Sequence, residues 1–433
     1  MPHKSYLLIA LFFCAQTQII AQNIPEEAIE EVVVTDSRFE LKRENSGKTV
    51  IKISQQEIEN NQGRTLSELI NTKSGIEING SRSNAGQNLG VYVRGGRNRQ
   101  VLVLIDGIQT GDSSELNGEY DFRLLNLNQI ESIEIIKGAA STLYGSGAAT
   151  AVISITTKKA GVKKVNAVFL SSLGTNQSQS DQNYNIADFN SNVSIGGTLD
   201  KFTYRTAFNQ QYADGISAAI TDEDEKDPYS KYGVDVNLGY RFSNAFSLTV
   251  FGNFTDISTN YDGGAFLDAD NAFKSKQSRG GISSEYTHTN GSIHINAAYS
   301  KYNREFISNY PSTLESKNYV LDVYNRYVFD KSFYTILGLN LIENEALFDE
   351  KETFSTVDPY ANLVYVSDFG LNINAGGRLN NHSEYGSHFT YNINPSFTIK
   401  LDTDSYTKLF GSYSTSFIAP SLSQLFGLFG PNP

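Results

Sequence analysis

From about Val165 onward, apolar and polar residues alternate. Val234, Val236, Leu238, Tyr240 and Phe242 are interleaved with Asp235, Asn237, Gly239 and Arg241. Phe246, Leu248, Val250 and Phe254 stand against Ser247, Thr249, Asn253 and Thr255, with Phe251 as the exception. Ile293, Ile295, Ala297 and Tyr299 repeat the pattern against Ser292, His294 and Asn296. A period of two predicts strands with one apolar and one wet face. Residues 48–160 read differently. Ser54 with Glu57 and Thr65 with Glu68 have capping-box spacing, which predicts two short helices, the second ending near Gly75. Leu66, Leu69 and Ile70 can then cover a small sheet of Val91–Val93, Val101–Ile105, Ser132–Ile136 and Val152–Thr157.

The connections between the alternating segments are of two lengths. Tight turns are predicted at Asp200-Lys201, Ser243-Asn244, Asn290-Gly291, Asp330-Lys331, Asp368-Phe369 and Asp402-Thr403. Longer polar loops lie between them, at Gly174–Asn190, Ala213–Ser230 and Asp256–Ser278. Short turns at one end and long loops at the other are the habit of a membrane β-barrel. A soluble β-sandwich, such as a secreted glycan-binding protein, is the rival, although its two ends need not differ so consistently.

Composition narrows this further. Tyr and Phe number 25 and 26, enough for the interfacial aromatic bands of a barrel, with no Trp. Residues 1–22 have the charged start, short apolar core and small-residue end of a secretory signal, and Cys14 within them is the only cysteine. A net charge of −12 argues against a nucleic-acid partner. The five histidines, His3, His288, His294, His382 and His388, accompany no nucleophile motif, so an enzyme is not expected.

The most informative run is Gln129–Thr157, QIESIEIIKGAASTLYGSGAATAVISITT. It reads strand, Lys137-Gly138 turn, Tyr144-Gly145-Ser146, then strand. Upstream lie Val93-Arg94-Gly95 and Val101–Gly107. A phosphate loop at Gly145-Ser146-Gly147 is disfavoured because no Gly-Lys-Ser/Thr ending follows and the next element is a strand. Both runs, in this order, resemble the plug domain of TonB-dependent outer-membrane receptors. The resemblance implies a mainly β fold, an antiparallel transmembrane β-barrel with an N-terminal α/β plug domain. It implies 22 strands, of which about 13 are present here. The expected organisation is a signal at 1–22, a TonB-box segment at 23–47, a plug at 48–160 and an incomplete barrel at 161–433. Phe410–Phe426 is similar to a stretch deep inside such barrels, so the sequence is expected to be C-terminally truncated. The location implied is the outer membrane of a Gram-negative bacterium, in contact with outer-membrane lipid.

Within that resemblance, Glu31, Val32, Val33, Val34 and Thr35 resemble the TonB box, an extended peptide gripped by strand addition by a TonB-type energy-coupling protein. Arg82, Asn84, Gln87, Asn88, Ser113, Ser114 and Asn117, in two polar loops of the plug, are the expected substrate readers. Their neutral hydrogen-bonding groups suit a corrinoid better than another chelate such as a ferric siderophore or haem. Ser-Arg-Phe after the TonB box and Ser414–Pro420 also look most like the cobalamin transporters of the family. No cofactor is required. Asp222, Asp224, Asp227, Asp256 and Asp262 are in similar context to the calcium-binding aspartates of those transporters and are candidate ligands for a structural calcium. Two departures stand out. Family members usually carry Arg-Gly-Pro and Gly-Gly where this chain has Lys137-Gly138-Ala139 and Thr150-Ala151.

Overall fold

A computed structural model describes residues 33–34, 37–39, 41–80, 86–177, 182, 184–217, 219, 225–401 and 405–427. The first strands are β1 (Val33–Val34), β2 (Leu41–Lys42), β3 (Thr49–Ile53), β4 (Ile76–Asn79) and β5 (Gly90–Val93). They are followed by β6 (Val101–Ile105), β7 (Ile108–Thr110), β8 (Ile130–Lys137) and β9 (Ala151–Thr157). Helices α1 (Gln55–Asn60), α2 (Leu66–Asn71) and α3 (Ser141–Tyr144) complete the N-terminal part.

The central sheet has the order β3-β8-β9-β6-β7. Every residue of β6 is buried, because both of its faces are covered. Asp106 and Gly107, at φ 52 and 79, form the two-residue turn between β6 and β7. Thr65 and Glu68 make the reciprocal capping box, and the Ser54 side chain accepts from the Glu57 amide. Two expectations need correction. Val91–Val93 does not join the central sheet but pairs with β4 in a separate two-stranded ladder. The second helix stops at Asn71, and Gly75, at φ 66, turns the chain into β4 instead of capping the helix.

The remaining strands form one antiparallel sheet. These are β10 (Asn166–Gly174), β11 (Asp188–Leu199), β12 (Phe202–Ala213), β13 (Tyr229–Arg241), β14 (Phe246–Tyr261) and β15 (Asn271–His288). They continue with β16 (Gly291–Ile307), β17 (Ser312–Phe329), β18 (Phe333–Leu347), β19 (Lys351–Val366), β20 (Leu371–His382) and β21 (Gly386–Lys400). The last are β22 (Tyr406–Phe410) and β23 (Tyr413–Ser414), with α4 (Leu422–Phe426) after them. Each strand pairs with its sequence neighbours from β10 to β22, and β23 pairs with β21.

The alternation has the sense expected of a membrane barrel. Apolar Val234, Val236, Leu238 and Tyr240 of β13 are exposed, while Lys231 is buried and Asp235 and Asn237 are half-buried on the other face. Aromatic rings gather near the short turns, with Phe242 and Phe246 5.2 Å apart and Phe333 and Tyr365 4.8 Å apart. Farther up the wall Tyr299 and Tyr319 stand 5.0 Å apart. The strands outrun the sequence expectation at the long-loop end. The loop predicted at Asp256–Ser278 shrinks to the residues between Tyr261 and Asn271, so Asp256 belongs to β14. Strand pairing satisfies backbone groups beyond the apolar band, so ladders continue where hydrophobic alternation has stopped. The turn predicted at Asp402-Thr403 lies outside the described residues.

Candidate functional site

The N-terminal domain sits against the polar face of the sheet, and its contacts with that wall make the site. The segment proposed for energy coupling begins it. Of its five residues only Val33 and Val34 are among those described, and their backbones pair with Lys42 and Leu41. Between these short strands, Arg38 turns back at φ 60 and is tied down from several sides. Its guanidinium meets Asp322 of β17 at 2.5 Å and donates to Leu143 O of α3 at 3.2 Å. The rings of Tyr144, Tyr324 and Tyr360 stand 5.4, 4.6 and 5.3 Å from it. Tyr360 donates to the other oxygen of Asp322 at 2.9 Å, and Arg326 donates to Arg38 O at 3.1 Å. A cation satisfied by a carboxylate and three ring faces is a firm anchor. Sequence reading noted Ser-Arg-Phe but not this role. The signal available was an Arg flanked by Phe39 beside a β-branched run; its partner lies 284 residues away.

The second anchor holds the loop after β7. Arg304 of β16 pairs with Asp112 at 3.2 Å and Glu115 at 2.7 Å, and donates to Ser114 Oγ at 2.8 Å. Asp112 also accepts from the Ser114 amide at 2.9 Å and from Ser316 Oγ at 2.5 Å. One buried guanidinium therefore faces two carboxylates, and Asp112 has the better set of donors. Burial pushes the Glu115 carboxyl up to about 8, against the opposing pull of Arg304.

The expected substrate readers separate under this geometry. Ser114 is buried and spent on Asp112 and Arg304, so it is a loop anchor and not a lumenal contact. Ser113 is also buried and bonds Asn344 and Asn318 of the wall at 3.1 and 2.7 Å. Asn117 is half-buried and donates to Glu119, while on the first loop Gln87 is half-buried and Asn88 exposed. Arg82 and Asn84 lie outside the described residues.

Ser113 and Asn117 line a cavity of about 140 Å³ between the domain, the wall from β17 to β20, and residues 418–424. Six buried polar atoms of its lining have no hydrogen-bond partner among the described residues: Arg99 Nε, Gln109 Oε1, Tyr120 OH, Asn318 Oδ1, Thr356 Oγ1 and His382 Nε2. Five of the six belong to uncharged side chains. At the rim, His382 packs 4.7 Å from Phe354 and 5.0 Å from Tyr385, and His388 stacks on Phe417 at 4.5 Å. His382 and His388 lie across the β20–β21 turn, close in sequence, whereas Phe354 of β19 and Phe417 beyond β23 reach them only through the fold.

The acidic loops are arranged differently from the expectation. Asp222 and Asp224 lie outside the described residues, and Asp227 is buried. Asp256 accepts from Tyr232 at 2.9 Å and faces Lys276 at 3.5 Å, and Asp262 accepts from Ser217 and the Ala219 amide. Glu225 instead shares hydrogen bonds with Asp268 and Asp270, which push its carboxyl up to about 7. Among the described residues no three His, Cys, Asp or Glu side chains are gathered closely enough to hold a metal ion.

The two sequence departures are accommodated locally. Lys137 donates to Ser74 O, and burial, with Arg94 nearby, lowers its pKa. Thr150 fits because Gly96 faces it, and its hydroxyl donates to Gln100 O at 3.1 Å.

A family model for the TonB-dependent receptor plug domain matches residues 42–152, and one for the TonB-dependent receptor-like β-barrel matches residues 167–433. The chain belongs to the TonB-dependent receptor family. Its N-terminal domain is therefore the plug and its large sheet the barrel wall. It is 24% identical over 441 residues to a protein named vitamin B12 transporter BtuB of Photobacterium profundum, covering 99% of this chain and 69% of that one. The protein of that name in Vibrio cholerae is 42% identical over 131 residues, 30% of this chain and 21% of that one. The siderophore receptor PirA of Acinetobacter baumannii superposes with a TM-score of 0.72 at 18% identity, covering 87% of this chain and 62% of that one. A ferric enterobactin receptor mutant of Pseudomonas aeruginosa, in complex with enterobactin, gives a TM-score of 0.72 at 18% identity, with 88% and 64% covered. At such identities the solved structures bear on the fold alone, and this chain spans less than two thirds of their length.

Proposed function

We propose that the protein serves energy-coupled uptake of cobalamin or a related corrinoid across the outer membrane of a Gram-negative bacterium. A TonB-type protein would grip residues 31–35, and outer-membrane lipid would surround the wall. The observation that carries the substrate is the likeness along 99% of the chain to a vitamin B12 transporter. The uncharged, unpartnered atoms of the cavity above the plug support it, because a ligand rich in amides can meet donors and acceptors without bringing charge. A structural calcium belongs to the same proposal. Its ligands would come from the acidic segments that carry Asp222, Asp224, Asp227, Asp256 and Asp262, of which Asp256 and Asp262 already accept hydrogen bonds from Tyr232 and Ser217. A second reading, a receptor for haem or a ferric siderophore, draws on the His382, Tyr385, Phe354, His388 and Phe417 cluster at the cavity rim.

Competition binding to outer membranes separates the two. Radiolabelled cyanocobalamin is expected to bind saturably, to be displaced by unlabelled corrinoid but not by ferric enterobactin or haem, and to bind more weakly after chelation of calcium. Binding of a ferric chelate or haem with none of the corrinoid would overturn the substrate assignment.

A further inference from the structure

After β23 the chain leaves the wall and becomes a strap over the plug. Its start is fixed to β21, where the Thr415 amide donates to Tyr391 O at 2.9 Å. The Gly147 amide then donates to Phe417 O at 3.3 Å, and the Ala419 amide to Ser146 Oγ at 3.2 Å. Ser421 Oγ donates to Leu116 O at 2.7 Å. The strap ends in α4, which packs against β18 and β19. Residues 418–422 and Gln424 of the strap line the cavity of about 140 Å³ described above.

The orientation of one strap side chain, Gln424, is dictated by its partners. Its Oε1 accepts from Arg99 Nη1 of the plug at 3.2 Å and from the Ser421 amide at 3.3 Å. A guanidinium and a backbone amide can only donate, so the oxygen must face them and the amide nitrogen must face away. That nitrogen has no hydrogen-bond partner among the described residues. Two N–H donors are therefore held in place and unused.

The cavity they border is small. Pockets that enclose a whole drug-sized ligand hold roughly 300–1,000 Å³, so about 140 Å³ admits one arm of a larger solute. The charged side chains in its lining are Arg99, Glu119 and Asp358, and Asp358 is paired with Arg378 at 2.7 Å. Arg99 and Glu119 then balance. Gln109 Oε1 and Asn318 Oδ1 of the same lining are acceptors without a donor. A primary carboxamide offers N–H groups to such acceptors and takes one from Gln424, whereas a carboxylate has none to offer.

We infer that Gln424 is a specificity-determining residue, whose fixed amide donors read the carbonyl oxygen of a carboxamide arm seated in this cavity. This deepens the uptake reading above and rests on it. No residue of the strap was among the expected substrate readers, because Gln424 acquires its orientation from Arg99, 325 residues away.

Gln424→Glu tests the assignment in the intact receptor. The substitution keeps an oxygen for Arg99 and for the Ser421 amide, so the strap stays fastened, but it replaces the donors with an acceptor. Radiolabelled cyanocobalamin is expected to bind roughly tenfold to a hundredfold more weakly to outer membranes, as for a ligand oxygen left unsatisfied. Protease resistance of the plug is expected to match the unsubstituted receptor. Equal affinity in Gln424→Glu would overturn the assignment and leave Gln424 a fastening of the strap. Where the unsubstituted receptor binds ferric enterobactin or haem in place of the corrinoid, the uptake reading fails and the same comparison is made with that ligand. A loss of its affinity then supports the fixed donor, and equal affinity overturns it. Gln424→Cys is expected to react with a small hydrophilic thiol reagent and to be shielded by bound cyanocobalamin. Failure to react contradicts a donor open to the cavity, whichever ligand binds.

Discussion

In the plug, Ile133, Ile135, Ile153 and Ile155 are fully buried, whereas in the wall Val236, Leu238, Ile293 and Leu339 stand between 38% and 42% exposed. The wall reverses the arrangement, burying Asn296, Asn340, Asp322 and Arg304 on the face that meets the plug. Both regions are strands of alternating character. In the plug the apolar face finds helices α1 and α2; in the wall it is left outward, where only lipid makes it favourable. The two bodies therefore meet largely through polar surfaces. Their attachment combines charged anchors, Arg38 and Arg304 foremost, with smaller apolar contacts, where Ile108 packs on Ala298 and Val320 and where Tyr229, Ile257 and Tyr302 join the plug core.

The contrast breaks most readily at an anchor. Arg304→Ala leaves Asp112 and Glu115 buried without their cation, a loss of about 3–5 kcal/mol for a broken buried pair. Hydrogen exchange should then show the Gly111–Tyr120 loop losing protection while the wall ladders keep theirs. Equal loss in both would mean that plug and wall are one cooperative unit. Ile135→Ala, inside the plug, is expected to cost about 2–5 kcal/mol and to admit protease to the plug alone. Leu339→Arg, on the outward face of β18, is expected to cost about 2–4 kcal/mol of folding into bilayers near the midplane. If that substitution is neutral, the outward face does not meet lipid.

The smallest effect is a pH dependence. The Glu115 carboxyl, at about 8 in the folded protein against an ordinary 4.5, keeps its proton where the unfolded chain has lost it. Its contribution to stability is thus fully present below about 4.5 and declines as pH rises to about 8. Glu115→Gln should flatten the pH dependence of loop protection in this window. An unchanged profile would place the titrating group elsewhere.

Much of the fold was legible in the sequence because it is written in local signals. The bounds of Val101–Ile105, the Thr65–Glu68 capping box and the outward rows of β13, β14 and β16 follow from periodicity and spacing. What was not legible depends on distant pairing. Val91–Val93 looked fit for the central sheet, yet it pairs with Ile76–Asn79 outside that sheet. Asp256 read as loop because polarity rises above the membrane band, although the ladder with Tyr232 persists there. The site was less legible still. Ser113 and Ser114 carry the right groups for substrate contact, but their partners Asn344 and Arg304 lie on separate strands and could not be foreseen. Arg38 and Asp322 are matched across 284 residues, a pairing no spacing rule supplies.

The most direct measurement is the split between binding and uptake in Val33→Pro. Proline removes the amide proton of a residue whose backbone pairs within the chain and which a strand-adding partner would need. Cyanocobalamin binding to outer membranes is expected to match the unsubstituted receptor while accumulation inside cells is lost. Accumulation that persists in Val33→Pro would contradict energy coupling through this segment.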